Sequence, residues 1–545
     1  MHKNTPEGIK EILFRMVACS SVSGTKDEIN MAKEIYDIFN EMPYFQNNPE
    51  YLALNPIEHD ALGRYFVTAL VRGKGNKTVV FINHIDTVDY NGFGPYKHLA
   101  LDPERLTREL NPEHLPKEAR EDLLTGDWLF GRGIMDMKCG GALEAALLSE
   151  VSEYAEDFEG NLLFLGVPDE ENNSAGMIGA IPILNKLKET YDLDYVALIN
   201  NEPHPVSDGQ HDLHIGSMGK VLPIFYCMGK ETHAGQLLQG LNADLLLAEI
   251  QKEMELNMEL VDEADGEYTY PPTVLKMGDT KELYNVSTPL TAYAYYNVLT
   301  LQFSPKQIMD ILKKIANTAF ENTLNRFKET IGAYKELTGE VFDCPWVSKV
   351  HTYEEIYQYN VEHIGPSFEE HMNTFILEHK DKAVDERDFA IQVIGEVCRL
   401  CPDRDPKIII GFAPPYYPHV RNKGETEKEI NMLNCVEKVL AYSKEKFDVD
   451  WKVNKFYKQL SDMSYCGVQD AQGILDMLKP NMPTLGYTYF LPLEEMAKFN
   501  VPVLNLGPWG KDLHKFTERL YAPFAFETVP KILKFATLNL LGINE

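Results

Sequence analysis

An α/β fold is predicted, a sheet flanked by helices with an inserted α+β lid, and three observations predict it. Apolar, β-branched runs of strand length occur at residues 61–72, 78–83, 161–167 and 194–200, with helical patterns between them. The last three of these runs lead into a histidine or a carboxylate, at the strand ends where open α/β sheets bind ligands. After Asn200 the pattern changes to strand 213–228, helix 242–260, strand 285–301 and helix 305–327. That succession suggests a ferredoxin-like β-α-β-β-α-β unit, with residues 345–358 as its last strand.

In chain order, helices are expected at about 6–17 and 25–41, before the first strands. The run Thr78-Val-Val-Phe-Ile-Asn-His84-Ile-Asp86 ends in a histidine and an aspartate that period two places on one face. Such a histidine can bind a metal through one nitrogen while the aspartate takes the other N–H and fixes the tautomer. An isolated His-x-Asp pair is a weak signal, more often a strand end with a turn aspartate. In Gly131-Arg-Gly-Ile-Met-Asp136-Met-Lys, glycines flank an aspartate just before a helix expected from about Ala142 to Tyr154. They permit close backbone approach, and a helix start favours negative charge. The rival reading is a helix-capping aspartate.

Asn161-Leu-Leu-Phe-Leu-Gly-Val-Pro-Asp-Glu170-Glu171 is a buried-type strand running into three consecutive acids. Adjacent carboxylates repel unless solvated or neutralised by a cation. Asp194-Tyr-Val-Ala-Leu-Ile-Asn-Asn-Glu202 and Val501-Pro-Val-Leu-Asn-Leu-Gly-Pro-Trp-Gly-Lys-Asp-Leu-His514 repeat the pattern. Each piece alone has a bland explanation. Five strand or loop ends offering oxygen and imidazole ligands together point to a two-metal hydrolase.

With these motifs the chain resembles the M20 family of zinc-dependent metallopeptidases and deacylases. His84-Ile-Asp86 looks like its His-x-Asp motif, Gly131 to Asp136 like its bridging-aspartate motif, and Glu170-Glu171 like its paired glutamates. Glu202-Pro and His514, followed by Glu518, match the remaining ligand positions in order. The segments Gly411-Phe-Ala-Pro-Pro-Tyr-Tyr-Pro-His-Val-Arg421 and Leu460-Ser-Asp462-Met-Ser-Tyr465 carry a closer likeness to a long, deacylase-like branch concerned with arginine utilization. The resemblance implies a catalytic domain with a central mixed sheet and an inserted lid. It also implies two divalent ions, zinc first with cobalt or manganese as alternatives. Asp136 would bridge them, with His84 and Glu202 at one ion and Glu171 and His514 at the other. A metal-bridged hydroxide would attack the amide, with Glu170 as general base and Asp86 orienting His84. His233, in Phe225-Tyr-Cys-Met-Gly-Lys-Glu-Thr-His233, resembles the lid histidine that stabilises the oxyanion, in cis or across a lid-to-lid homodimer.

Composition agrees with a hydrolase of small molecules. The 545 residues imply more than one domain, and 44% hydrophobic with 25% charged residues is ordinary globular composition. A formal charge of −31 argues against nucleic acid or an anionic membrane as partner. No run is long and apolar enough to span a membrane. Eight cysteines and a polar first segment suggest a reducing cytoplasm. Cys398-Arg-Leu-Cys401 reads as part of a helix rather than a metal or redox pair.

The expected organisation is a catalytic part over 1–212, a lid over 213–358, a helix-rich insertion with a Pro/Tyr loop over 359–424, and a second catalytic part over 425–545. Substrate choice rests on departures from the family. The lid stretch Tyr293-Ala-Tyr-Tyr-Asn297 to Phe303 lacks the arginine that clamps a substrate carboxylate in many members. Arg421 or Arg399 would replace it. Tyr416 and Tyr417 would pack an acyl or alkyl chain, and Asp462 would belong to an altered pocket wall. The leading expectation is hydrolysis of a small N-acyl amino acid, with a dipeptidase or aminopeptidase as alternative and a non-catalytic binding relative behind both.

Overall fold

A computed structural model describes residues 4–207, 209–382 and 385–543. The chain divides into two compact units. One comprises residues 1–217, 420–468 and 494–545, the other 218–419 and 469–493.

The first unit is built on a mixed sheet. Its strands run in the spatial order Leu52–Pro56, Tyr65–Arg72, Asn161–Val167, Lys77–His84, Asp194–Asn200, Val503–Asn505, Gln210–His214 and Trp451–Asn454. The four in the middle, from Asn161–Val167 to Val503–Asn505, are mutually parallel, and antiparallel strands extend the sheet on either side. Parallel strands need crossovers and end up covered on both faces, hence their nearly unbroken apolar runs. Alternate residues divide between the faces. Val67, Ala69, Val79, Phe81, Leu162, Phe164, Ala197 and Ile199 share a core with helices Pro6–Ala18, Asp27–Asn40, Lys138–Ser152, Glu427–Phe447 and Val529–Leu541. Helix Ala175–Tyr191 contacts the Tyr65–Arg72 and Asn161–Val167 strands. The early helices and the four strand ends fall within a few residues of their sequence expectation, and helix Lys138–Ser152 starts earlier than expected.

The second unit holds a five-stranded sheet in the order Thr273–Asp279, Thr291–Thr300, Gly219–Met228, Lys407–Tyr417 and Val350–Thr352. Its first four strands have the ferredoxin-like order, and helices Ala243–Met254 and Pro305–Thr338 are its two crossovers. Two expectations are corrected here. The fourth ferredoxin-like strand is Lys407–Tyr417, while residues 345–358 give a three-residue edge strand and then helix Tyr353–Ile364. The segment 359–424 is therefore no separate insertion. Helices Tyr353–Ile364, Pro366–His379 and Glu386–Leu400 share a core with Leu222, Ile224, Tyr226 and Met228, one face of the Gly219–Met228 strand. The expected Pro/Tyr loop is strand, because the edge strand pairs only with residues 408–410, so Pro414 and Pro415 face no further ladder on that side. Among the described residues no helix is long and apolar enough to cross a membrane.

Candidate metal centre

The parallel register of the first unit brings the expected ligands together. His84 pairs with Val167 on one side, and Ile82 pairs with Asn200 on the other. Glu170 and Glu171 therefore emerge beside His84, and Glu202 emerges on its opposite flank. Val503–Asn505 runs parallel to Asp194–Asn200 and delivers the loop that carries His514. Asp136 lies at the middle. One of its oxygens is 3.0 Å from His84 Nε2 and the other 3.1 Å from His514 Nε2. Glu202 Oε1 is 3.4 Å from His84 Nε2, and Glu171 Oε1 is 3.0 Å from His514 Nε2.

Two groups of ligand atoms each lie within 4.8 Å of one another, His84 with Glu170 and Glu202, and His84 with Asp136 and Glu171. This is a donor set of carboxylate oxygens and imidazole nitrogens, which fits divalent ions. The titration behaviour agrees. Burial pushes the Glu170 and Glu202 carboxyls well above the usual range and also raises Glu171. Burial would raise Asp136 too, but hydrogen bonds with His514 and His84 hold it below the ordinary value. Hydrogen bonds to Asp136 and Glu171 lift His514 to about 10. Burial opposes a charged His84, yet Glu202, Asp136 and Asp86 outweigh it and raise its pKa.

Asp86 meets both His84 and the paired glutamates. His84 Nδ1 lies 3.0 Å from the backbone oxygen of Asp86, while the Asp86 carboxylate is 3.7 Å away. That carboxylate instead accepts the backbone N–H groups of Glu170 and Glu171, at 3.1 and 3.2 Å. The aspartate thus orients the imidazole through its carbonyl and fixes the paired glutamates through its side chain. Asp462 is 3% exposed, beside Ser174, with burial pushing its carboxyl up to about 7.

Two supports have no local sequence signal. Arg64 makes ion pairs with Glu28, Asp60 and Asp169 at 3.0, 2.7 and 2.7 Å, all buried. Asp169 precedes Glu170 and has a left-handed backbone (φ 74°), as does His514 (φ 63°). For residues other than glycine such strain persists only where the surroundings enforce it. The second support is Arg132, which donates to Glu518 at 2.5 Å and to the carbonyl of His514 at 3.0 Å. Glu518 in turn accepts from Met135 N. One ion pair thereby ties the Asp136 loop to the His514 loop. A cavity of about 620 Å³ opens next to Met135, Pro203 and Leu513, sequence neighbours of three ligands, with Trp509, Lys511 and Lys515 on its wall.

The other candidate residues have separate surroundings. Arg421 is half-buried on the short strand Val420–Arg421, paired with Gly216–Ser217 of the first unit. In the second unit His233 is exposed, and its Nδ1 accepts from Gly235 N. Arg399 is held by Glu396 at 2.6 Å. Tyr416 and Tyr417 are 4% and 3% exposed; Tyr489 bonds the backbone of Tyr416, and Lys220 covers the Tyr417 ring at 4.6 Å.

Comparison with known proteins places this geometry in context. Residues 110–482 match the model of peptidase family M20/M25/M40. An uncharacterized protein of Bacillus subtilis, YqjN, is 36% identical over 100% of this chain and 98% of its own length. Protein RocB of the same organism is 31% identical over 99% of this chain and 96% of its own. Among solved structures, the M20 family metallo-carboxypeptidase Sso-CP2 from Sulfolobus solfataricus superposes with a TM-score of 0.54, 12% identity and coverage of 98% and 99% of the two chains. Aminopeptidase PepT from Bacillus cereus gives 0.52, 12%, and 99% of each.

Proposed function

The chain belongs to peptidase family M20/M25/M40 and is a metallohydrolase acting on amide bonds, and from that premise we propose that it hydrolyses the amide of a small N-acyl amino acid, with arginine utilization as its setting. The observation that carries the site assignment is Asp136, whose two carboxylate oxygens face His84 at 3.0 Å and His514 at 3.1 Å. On this reading His84, Asp136 and Glu202 would hold one divalent ion, and Asp136, Glu171 and His514 would hold the other. Ions there would supply Lewis acidity, acidifying a water and polarising the scissile carbonyl. Glu170, whose carboxyl burial keeps avid for a proton, takes the proton of the attacking water and delivers it to the leaving nitrogen. Asp86 fixes the backbone of Glu170 and Glu171 while this happens. Arg421 receives the substrate carboxylate through its planar guanidinium.

The test is hydrolysis across panels of N-acyl amino acids, N-acyl-arginine included, and dipeptides, by metal-loaded protein and its Glu170→Gln variant. Turnover of the acylated panel is expected, with the variant keeping its metal and losing about 10²–10⁴-fold in kcat. A variant that stays within tenfold of wild type removes Glu170 as the base. Turnover confined to dipeptides replaces the deacylase assignment with a dipeptidase.

A further inference from the structure

The helix Lys138–Ser152, which starts just after Asp136, is buried along nearly its whole length, and one of its buried residues is an acid. Glu144 is 0% exposed, and neither of its carboxyl oxygens has a hydrogen-bond partner among the described residues. Gly140 and Gly141 precede it by four and three residues and so share its helix face. Helical side chains lean toward the N-terminus, which lays the Glu144 carboxyl over these two glycines. Across from them stand two asparagines. A Cβ on Gly140 would come within 2.9 Å of Asn201 Cβ, and one on Gly141 within 2.3 Å of Asn83 Oδ1.

Asn83 and Asn201 are neighbours in the sheet. Ile82 pairs with Asn200, so the next step of the register sets Asn83 beside Asn201. Both fall on the helix side, with Phe81 and Ile199 two residues before them in the core beneath that helix. Each spends its amide N–H₂ elsewhere. Asn83 donates to the carbonyl of Met137 at 3.0 Å, and Asn201 donates to the carbonyl of Leu506. Their Oδ1 atoms are buried without partners among the described residues. The enclosure therefore gathers two amide oxygens and a carboxyl, all acceptors, and a donor is what it lacks.

We propose that Glu144 is a positioning residue of the metal centre: as a neutral acid it donates its O–H, directly or through one enclosed water, to Asn201 Oδ1 and so holds the Asn201–Glu202 backbone against the helix. This rests on Glu202 being a metal ligand. Burial favours the protonated acid. The chain of bonds continues past Asn201, since its amide grips Leu506 and Asn505 donates to the carbonyl of Glu202 at 3.2 Å. Glu144 thus braces from one side a ligand whose backbone the Val503–Asn505 strand braces from the other. Glutamine, neutral and nearly the same shape, supplies a donor at the same place, and leucine does not.

The experiment compares wild type, Glu144→Gln and Glu144→Leu as full-length, metal-free proteins. Zinc affinity is read by competition with a chelating dye, metal-free stability by thermal unfolding, and the protonated acid by its infrared carbonyl stretch. Glu144→Leu is expected to weaken one zinc by about 10–100-fold and leave the other in place. Glu144→Gln should bind both as wild type does, and the carbonyl band of wild type should vanish in it. A Gln variant as impaired as the Leu variant, a Leu variant with both affinities intact, or a wild type without the band would each overturn the proposal. Should the Leu variant not fold, the band and the Gln affinities still decide. Should wild type take up no zinc, it is the metal centre that fails, and the proposal is then judged by the band and by whether Gln is more stable than Leu without metal.

Discussion

Replacing Arg132 with methionine tests whether the two ligand loops are held by one buried ion pair. Arg132 and Glu518 are 2% and 0% exposed, and their 2.5 Å contact has no solvent to fall back on. Removing the arginine leaves a buried carboxyl whose remaining support is the N–H groups of the Asp136 loop, and removing one partner of such a pair costs about 3–5 kcal/mol. Loss of the bond to the His514 carbonyl falls within that figure, at about 1 kcal/mol. Urea unfolding of metal-free protein measures it, and the companion is the double variant Arg132→Met with Glu518→Leu. Two apolar residues replacing the pair should recover most of the loss, because the desolvation of both charges disappears together. The single variant should also bind the ion at Glu171 and His514 about 10–100-fold more weakly, since its second-layer support is gone. A single variant within 1 kcal/mol of wild type, or a double variant no better than the single, would refute the argument that this pair holds the loops.

Two further outcomes are expected. Burial holds His211 and His214 neutral, with pKa values of about 4 and about 3 against an ordinary 6.5, and Lys458 and Lys452 add to the lowering of His214. A depressed histidine lends stability above its unfolded pKa and loses it as pH falls toward its folded value. At about 1.4 kcal/mol per pH unit, wild type should lose about 2 kcal/mol more than His214→Leu between pH 6.5 and pH 5 in urea titrations; equal slopes would contradict it. Chelation of divalent ions should lower the melting temperature. Ions at 1,000 times their Kd stabilise by about 4 kcal/mol, and Asp136→Asn should abolish the response. A melting temperature indifferent to both chelator and added zinc would count against a metal centre at Asp136.

The candidate ligands were legible because each sits where a local pattern stops. His84, Glu202 and the Glu170-Glu171 pair follow apolar runs whose ends, at residues 84, 200 and 167, can be read without knowing their neighbours. The left-handed backbone of Asp169 and its bond to Arg64 cannot, because 105 residues separate the partners. Glu144 is illegible for the opposite reason, a lone acid in an apolar helix whose partners, Asn83 and Asn201, are fixed by strand register. In the second unit the sequence misleads through proline. Pro414 and Pro415 read as a loop, yet they stand in the strand that completes the ferredoxin-like order, at a stretch lacking an outer neighbour. The strand Thr273–Asp279 gives no signal because it is a largely exposed edge without an apolar face to alternate.

The charges around Asp136 explain why a fold would tolerate such a site. Asp86, Asp136, Glu170, Glu171, Glu202 and Asp462 crowd six carboxyls about two imidazoles, and all but His514 are buried or nearly so. Unpaired buried carboxylates are unstable, so each must find a proton, a hydrogen-bond donor or a cation. Asp86 finds the amides of Glu170 and Glu171, and Asp169 nearby finds Arg64. Among the described residues the carboxyls facing His84 and His514 have no comparable donor beyond those two rings. An imidazole that gives up its proton to become a ligand also frees the carboxylates it was compensating, so loading divalent ions satisfies both kinds of group at once. The same acid excess that would destabilise the fold on its own is therefore what would suit these strand ends to divalent ions.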